Sequence, residues 1–145
     1  MNRVIVRSVD IQKPGKAGRI TSFCTKVLKT QHMDNCELSV VFCTKDFIRS
    51  LNKNFRGIDE GTDILSFSTE ESGGNQVNGD LLISMEVLAE NCQRFSVSEE
   101  EELKRLLVHG ILHLAGQDHD SLDPEEPMLA RQEEIIVMFS KEKIF

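Results

Sequence analysis

Residues 109–119 read HGILHLAGQDH, and three of the chain's four histidines stand inside that run. On an α-helix, residues four apart project about 40° apart around the axis, so His109 and His113 direct their rings toward a common point. Gly116 can take the left-handed conformation that closes a helix, which lets the chain turn back and carry His119 to the same point. Three neutral imidazoles with an open fourth position make the ligand set of a catalytic zinc. The flanking Leu106, Leu107, Val108, Ile111, Leu112 and Leu114 mark a buried helix face, on which imidazoles with nothing to bind would leave polar nitrogens unsatisfied. No Cys lies near the run, as a structural zinc commonly requires, but Asp118 or Asp120 remains available as a fourth ligand that would close the site.

Outward from this helix the elements alternate. Arg3 to Asp10 is β-branched with period two, Gly18 to Thr30 reads as a helix with Ile20, Phe23, Val27 and Leu28 inward, and Glu37 to Cys43 is a strand. Thr44 can cap a helix carrying Phe47, Ile48, Leu51 and Phe55 on its apolar side, followed by a polar turn from Arg56 to Thr62. Asp63 to Ser68 and Asp80 to Ser84 read as strands, joined by the Gly- and Asn-rich ESGGNQVNG at 71–79, which suits a flexible lip beside the site. A helix spans about Met85 to Phe95. Ser98 with Glu101 forms a capping box ahead of the histidine helix, and Pro124 and Pro127 bracket the start of a last amphipathic helix with Leu129, Ile135, Ile136 and Phe139 that packs against it. The expected architecture is α/β (α+β): a single domain over residues 1–145, a small mixed four-stranded sheet covered by about five helices, and a central metal-bearing helix in metalloprotease-like fashion.

The 145 residues suit one well-packed domain, and the four cysteines form no CxxC pair and read as reduced, buried thiols of a cytoplasmic protein. No basic-then-apolar leader and no apolar run of about 20 residues is visible, so no membrane role is expected. The net charge of −7 hides an uneven distribution: residues 1–60 hold 11 Lys+Arg against 6 Asp+Glu. Arg3, Arg7, Lys13, Lys16, Arg19, Lys26 and Lys29 could form a surface that meets phosphates.

The histidine frame is that of the HExxHxxGxxH zinc peptidases, with Gly110 in place of the glutamate that serves as their general base. Efficient amide hydrolysis needs that base, whereas phosphodiester cleavage chiefly needs charge stabilisation at the phosphoryl oxygens, and an RNA ribose brings its own nucleophile. Gly110 also removes bulk beside the metal. Arg56 sits in a Gly-flanked turn from which a guanidinium could grip a phosphate in bidentate fashion, or simply cap a helix end. Asp63 and Asp80 could orient a histidine or form turns.

HGILHLAGQDH at 109–119, LNKNFRGIDEGTDILSFS at 51–68 and NGDLLIS at 78–84 resemble, in that order, motifs of the YbeY family of bacterial endoribonucleases. Ile64, Ser68 and Gln117 depart from the usual pattern without touching a ligand. The resemblance implies a zinc-dependent, single-strand-specific endoribonuclease that matures the 3′ end of 16S ribosomal RNA and serves ribosome quality control. Its partners would be single-stranded or ribosomal RNA, the small subunit and assembly factors, with no DNA partner. By position, it implies one Zn2+ on His109, His113 and His119 and catalytic roles for His113 and Arg56, the latter also binding substrate; by ligand type, imidazoles also suit copper and Ni2+, which could replace zinc in vitro. A zinc metallopeptidase lacking the usual base, and a non-catalytic ribosome-assembly factor with a structural metal, are the alternatives.

Overall fold

The computed structural model describes residues 1–69, 72–73 and 75–145. The elements follow the order β1 (Arg3–Val9), α1 (Ala17–Thr30), β2 (Glu37–Cys43), α2 (Lys45–Arg56), β3 (Ile64–Ser68), β4 (Asn78–Ser84), α3 (Met85–Phe95), α4 (Glu99–Leu114) and α5 (Pro127–Met138). The sheet has the order β1-β2-β4-β3; β1, β2 and β4 run parallel, and β3 lies antiparallel to β4 on the edge. Among the described residues this is the mixed four-stranded sheet with five helices that the periodicity predicts.

Alternation along the strands sorts side chains between two faces. Leu38, Val40, Phe42, Leu81 and Ile83 face the main core with Ile20, Phe23, Val27 and Leu28 of α1 and Leu107 and Ile111 of α4. Leu65, Leu82 and Cys43 face the other way, onto Ile48 of α2. The histidine helix α4 is central: it touches α1, α3, β3, β4 and α5, with α5 packed along it as expected. All four cysteines are buried free thiols, and burial pushes the Cys24 thiol up to about 12, which keeps it unreactive.

Local chemistry sets the helix ends. The Thr44 hydroxyl accepts from Phe47 N–H (3.2 Å) and the Ser98 hydroxyl from Glu101 N–H (3.1 Å). Glu101 does not complete a capping box; its carboxylate lies 3.7 Å from Arg105, one turn further along. Pro127 opens α5 in the first turn, where its missing N–H costs nothing.

Other expectations are revised as well. β4 begins at Asn78 rather than Asp80, because Gly79 reads as turn punctuation in sequence but serves close packing here. A Cβ at Gly79 would stand 2.2 Å from the Phe67 carbonyl oxygen across the β3–β4 ladder. On α2, Ile48 is buried as expected, but Phe47 and Phe55 are 37% and 68% exposed, since the small sheet offers that helix only a narrow contact. In the connection at 71–79, Glu71 and Gly74 lie outside the described residues. Of the rest, the Ser72 hydroxyl donates to the Leu114 carbonyl and accepts from Asn78 N–H (3.1 Å), which fastens it to the end of α4 rather than leaving a free lip.

Candidate metal centre and its cleft

The geometry of α4 and its exit brings the three histidines together. His109 and His113 lie one turn apart with ring centroids 4.6 Å from each other. The helix then ends in a Schellman motif: Gln117 N–H donates to Leu112 O (3.0 Å), Gly116 N–H to His113 O (2.9 Å), and Gly116 takes φ 93°. That reversal carries His119 back, its ring centroid 5.4 Å from His109 and 5.6 Å from His113. One nitrogen of each ring lies within 4.8 Å of the others, and among the described residues this converging set contains no carboxylate or thiolate. Asp118 is otherwise engaged, its Oδ1 accepting from His119 N–H (2.8 Å). A fourth protein ligand from Asp118 or Asp120, left open by the sequence, is therefore not part of the set.

Each imidazole is held from behind. His109 Nδ1 meets Gln132 Oε1 at 2.7 Å, His113 Nδ1 meets Gln117 O at 3.1 Å, and His119 Nδ1 meets Ser121 O at 2.8 Å. All three partners are oxygens that can only accept, so each Nδ1 carries the proton and each Nε2 keeps a free lone pair. Carbonyl and amide oxygens behind ligating histidines fix ring orientation and raise basicity in this way. The Gln132 amide is itself fixed. Its Nε2 donates to Glu133 Oε2 (3.0 Å), and Glu133 forms a two-point pair with Arg105 Nε and Nη2, both at 3.0 Å. The chain Arg105–Glu133–Gln132–His109 thus orders the His109 ring from the α4–α5 interface. Sequence reading missed Gln132 and Arg105 entirely; a buried Gln on an amphipathic helix was the one available signal, since Gln132 is only 7% exposed.

Burial holds the His109 imidazole below its ordinary value, opposed by the Gln132 bond. The ring is therefore neutral and fit to ligate near neutral pH. Asp63, in the loop before β3, is pushed up by burial against the pull of nearby N–H groups, His109 and Asn91.

A cleft of about 630 Å3 opens beside the cluster, lined by Phe55 and Arg56 of α2, Ile64 to Phe67 of β3, and His109, Gly110 and His113 of α4. Arg56 enters it as the last residue of α2, where Gly57 in the left-handed conformation (φ 72°) turns the chain. The turn is fastened by the buried Asn52, whose Nδ2 donates to Glu60 O (3.0 Å), and by the Arg49–Asp59 pair (2.9 Å). Arg56 is exposed and forms no ion pair among the described residues. It is a guanidinium left available in a cleft that two imidazoles also line.

Gly110 lines the cleft beside the histidines, and its missing Cβ has a second role in packing. A Cβ there would stand 2.5 Å from Leu81 Cδ2 and 3.1 Å from Ile64 Cδ1, so the glycine chiefly allows α4 to lie close on the sheet. A glutamate at this position has no room without moving core side chains, which counts against the peptidase alternative. Asp80 lies elsewhere, in a second cleft at the start of β1, β2 and β4. Of the basic residues in the first third, Lys26 is paired with Glu142 (2.8 Å) and Arg19 is bonded to the Phe145 carbonyl (2.7 Å), so part of that charge is spent within the fold.

Comparisons with known proteins agree with one another. The family model described as Endoribonuclease YbeY matches residues 7–140. A Treponema denticola protein named Endoribonuclease YbeY is 40% identical over 153 aligned positions, covering 100% of this chain and 99% of its own length. Proteins of the same name from Treponema pallidum (strain Nichols) and Aquifex aeolicus are 42% and 36% identical, each over 94% of this chain and covering 89% and 90% of their own lengths. A Thermotoga maritima protein known from its solution structure superimposes with a TM-score of 0.65 at 25% identity, over 95% of this chain and 90% of its own. Among the described residues, no helix is long and apolar enough to cross a membrane.

Proposed function

Because this chain belongs to the YbeY endoribonuclease family, we propose that it is a metal-dependent endoribonuclease cutting single-stranded RNA. His109, His113 and His119 hold one zinc ion, and Arg56 is the phosphate contact. The supporting observation is that Arg56 and two of the converging histidines line one cleft. The donor set fits the ion: three imidazoles with Nδ1 engaged and Nε2 free suit Zn2+, and suit Ni2+ as well.

When bound, zinc supplies Lewis acidity toward a phosphoryl oxygen and toward water. The residues do the rest. The Gln132, Gln117 and Ser121 oxygens hold the three rings in register, so little reorganisation is needed on metal binding. The Arg56 guanidinium presents parallel N–H donors to the non-bridging oxygens and offsets charge that grows as the phosphorus becomes five-coordinate. In this reading the cleft lined by α2, β3 and α4 residues takes one unpaired strand. In the cell the substrate is the precursor of small-subunit ribosomal RNA, whose 16S 3′ end it matures. It also serves ribosome quality control, with the small subunit and its assembly factors as partners in the cytoplasm.

The test is cleavage of a short single-stranded RNA by purified protein beside the matching duplex. Cleavage confined to the single strand, lost with chelator, restored by zinc and absent in His113→Ala is expected. Full cleavage after verified metal removal contradicts the metal's role.

A further inference from the structure

Phe55 has no packing duty that accounts for it. The buried residues of α2 are Ile48 and Asn52, and Phe55 projects from the last turn with 68% of its surface exposed. Among the described residues its one aromatic neighbour is Phe67 of β3, met in T-shaped geometry at 5.4 Å between centroids and 68° between planes. That contact steadies the ring without covering it. The same ring lines the cleft that holds Arg56, His109 and His113.

We propose that Phe55 is a stacking platform for an unpaired nucleobase of the nucleotide adjoining the phosphate that Arg56 holds. This rests on the nuclease reading above. Single-stranded nucleic acid alternates a charged phosphate with a flat apolar base, and proteins that grip it alternate cations with aromatic rings. Phe55 and Arg56 are that pair in consecutive residues at one cleft wall. A base within a duplex has both faces covered by its neighbours and cannot reach the ring, so Phe55 gives the cleft a preference for unpaired strands. The cation beside it favours a phosphate-bearing occupant over an apolar peptide segment.

The experiment uses the full-length, zinc-loaded protein and a short RNA with one cleavage position, prepared intact and with an abasic ribose on either flank of the cut. Removing the base on one flank should lower kcat/KM for the wild type about ten-fold. Phe55→Leu, which keeps the apolar contact with Phe67, should lose about as much on intact RNA and then be indifferent to the abasic site. Phe55→Trp should retain wild-type behaviour. Losses from Phe55→Leu and from base removal that multiply, or a Phe55→Leu enzyme as active as wild type, overturn the proposal while leaving the nuclease reading intact. A second readout is 2-aminopurine at the flanking position, bound by the His113→Ala protein. Its fluorescence should be quenched with Phe55 present and not with Leu in its place. Should the wild-type protein cut no RNA, the nuclease reading fails; a quench that still depends on Phe55 would support stacking, and none would refute it.

Discussion

Two clefts of similar size differ in what they can do. One, of about 630 Å3, lies beside His109 and Arg56; the other, of about 500 Å3, lies at the start of β1, β2 and β4 and carries Arg3, Glu37 and Asp80. Both hold charge. In the second, Glu37 and Asp80 line the cleft together with Arg3, and among the described residues no trio of ligand atoms converges there. In the first, the pitch of α4 and the Schellman reversal at Gly116 bring three imidazoles to one point, and the cleft that Arg56 lines has no acidic residue among its lining. Volume and charge do not make a metal centre. Backbone direction, and acceptors behind each ring, do.

Changes on the two sides should therefore have unequal effects. Arg56→Ala should lower kcat for single-stranded RNA by about 10²-fold, as loss of one charge-stabilising donor does elsewhere, with metal content unchanged. Arg56→Lys should recover part of that, a point charge replacing the two-pronged donor; steady-state kinetics with elemental analysis on the same samples decides. Gln132→Leu should weaken zinc binding about 10- to 100-fold while leaving activity recoverable at high zinc, read by competition with a chelating dye. Equal zinc affinity in wild type and variant would show that the ring orientation owes nothing to that amide.

Gly110→Ala should cost about 1–3 kcal/mol in urea unfolding, because its methyl meets Leu81 and Ile64. If the variant is as stable as wild type, the glycine serves substrate room alone. A smaller effect concerns pH. Burial depresses His109 below its ordinary 6.5, so below that pH the unfolded chain binds a proton that the folded, metal-free chain takes up less readily. Stability of the metal-free protein then falls as pH drops through 6.5, and His109→Gln should flatten that decline, measured by urea midpoints on either side of 6.5. The least effect is expected in the other cleft, where Asp80→Asn should leave cleavage of a short RNA unchanged. A large loss there would extend the catalytic region across the sheet.

What could be read from the chain alone was local. The histidine pair four apart, the Gly116 reversal, the Thr44 and Ser98 caps and the inward stripe of α1 each depend on neighbours within a turn or two. Features built by distant contact were not legible. Gln132 reaches His109 across 23 residues, and Arg105 reaches Glu133 across 28, only because α5 docks on α4. Gly79 looked like the end of a loop until the Phe67 carbonyl lay against it. Phe55 followed the apolar period of its helix, yet the sheet beneath is too narrow to cover it, and that shortfall is what places an aromatic ring in the cleft.

Central to this account is that three Nε2 atoms share one ion while a fourth position faces the cleft. An anomalous-scattering map at the zinc edge, from crystals of the protein purified with zinc, tests it directly. One peak per chain bonded to His109, His113 and His119 through Nε2, with no fourth protein ligand, is predicted. No peak, or a peak closed by Asp118 or Asp120, would contradict it.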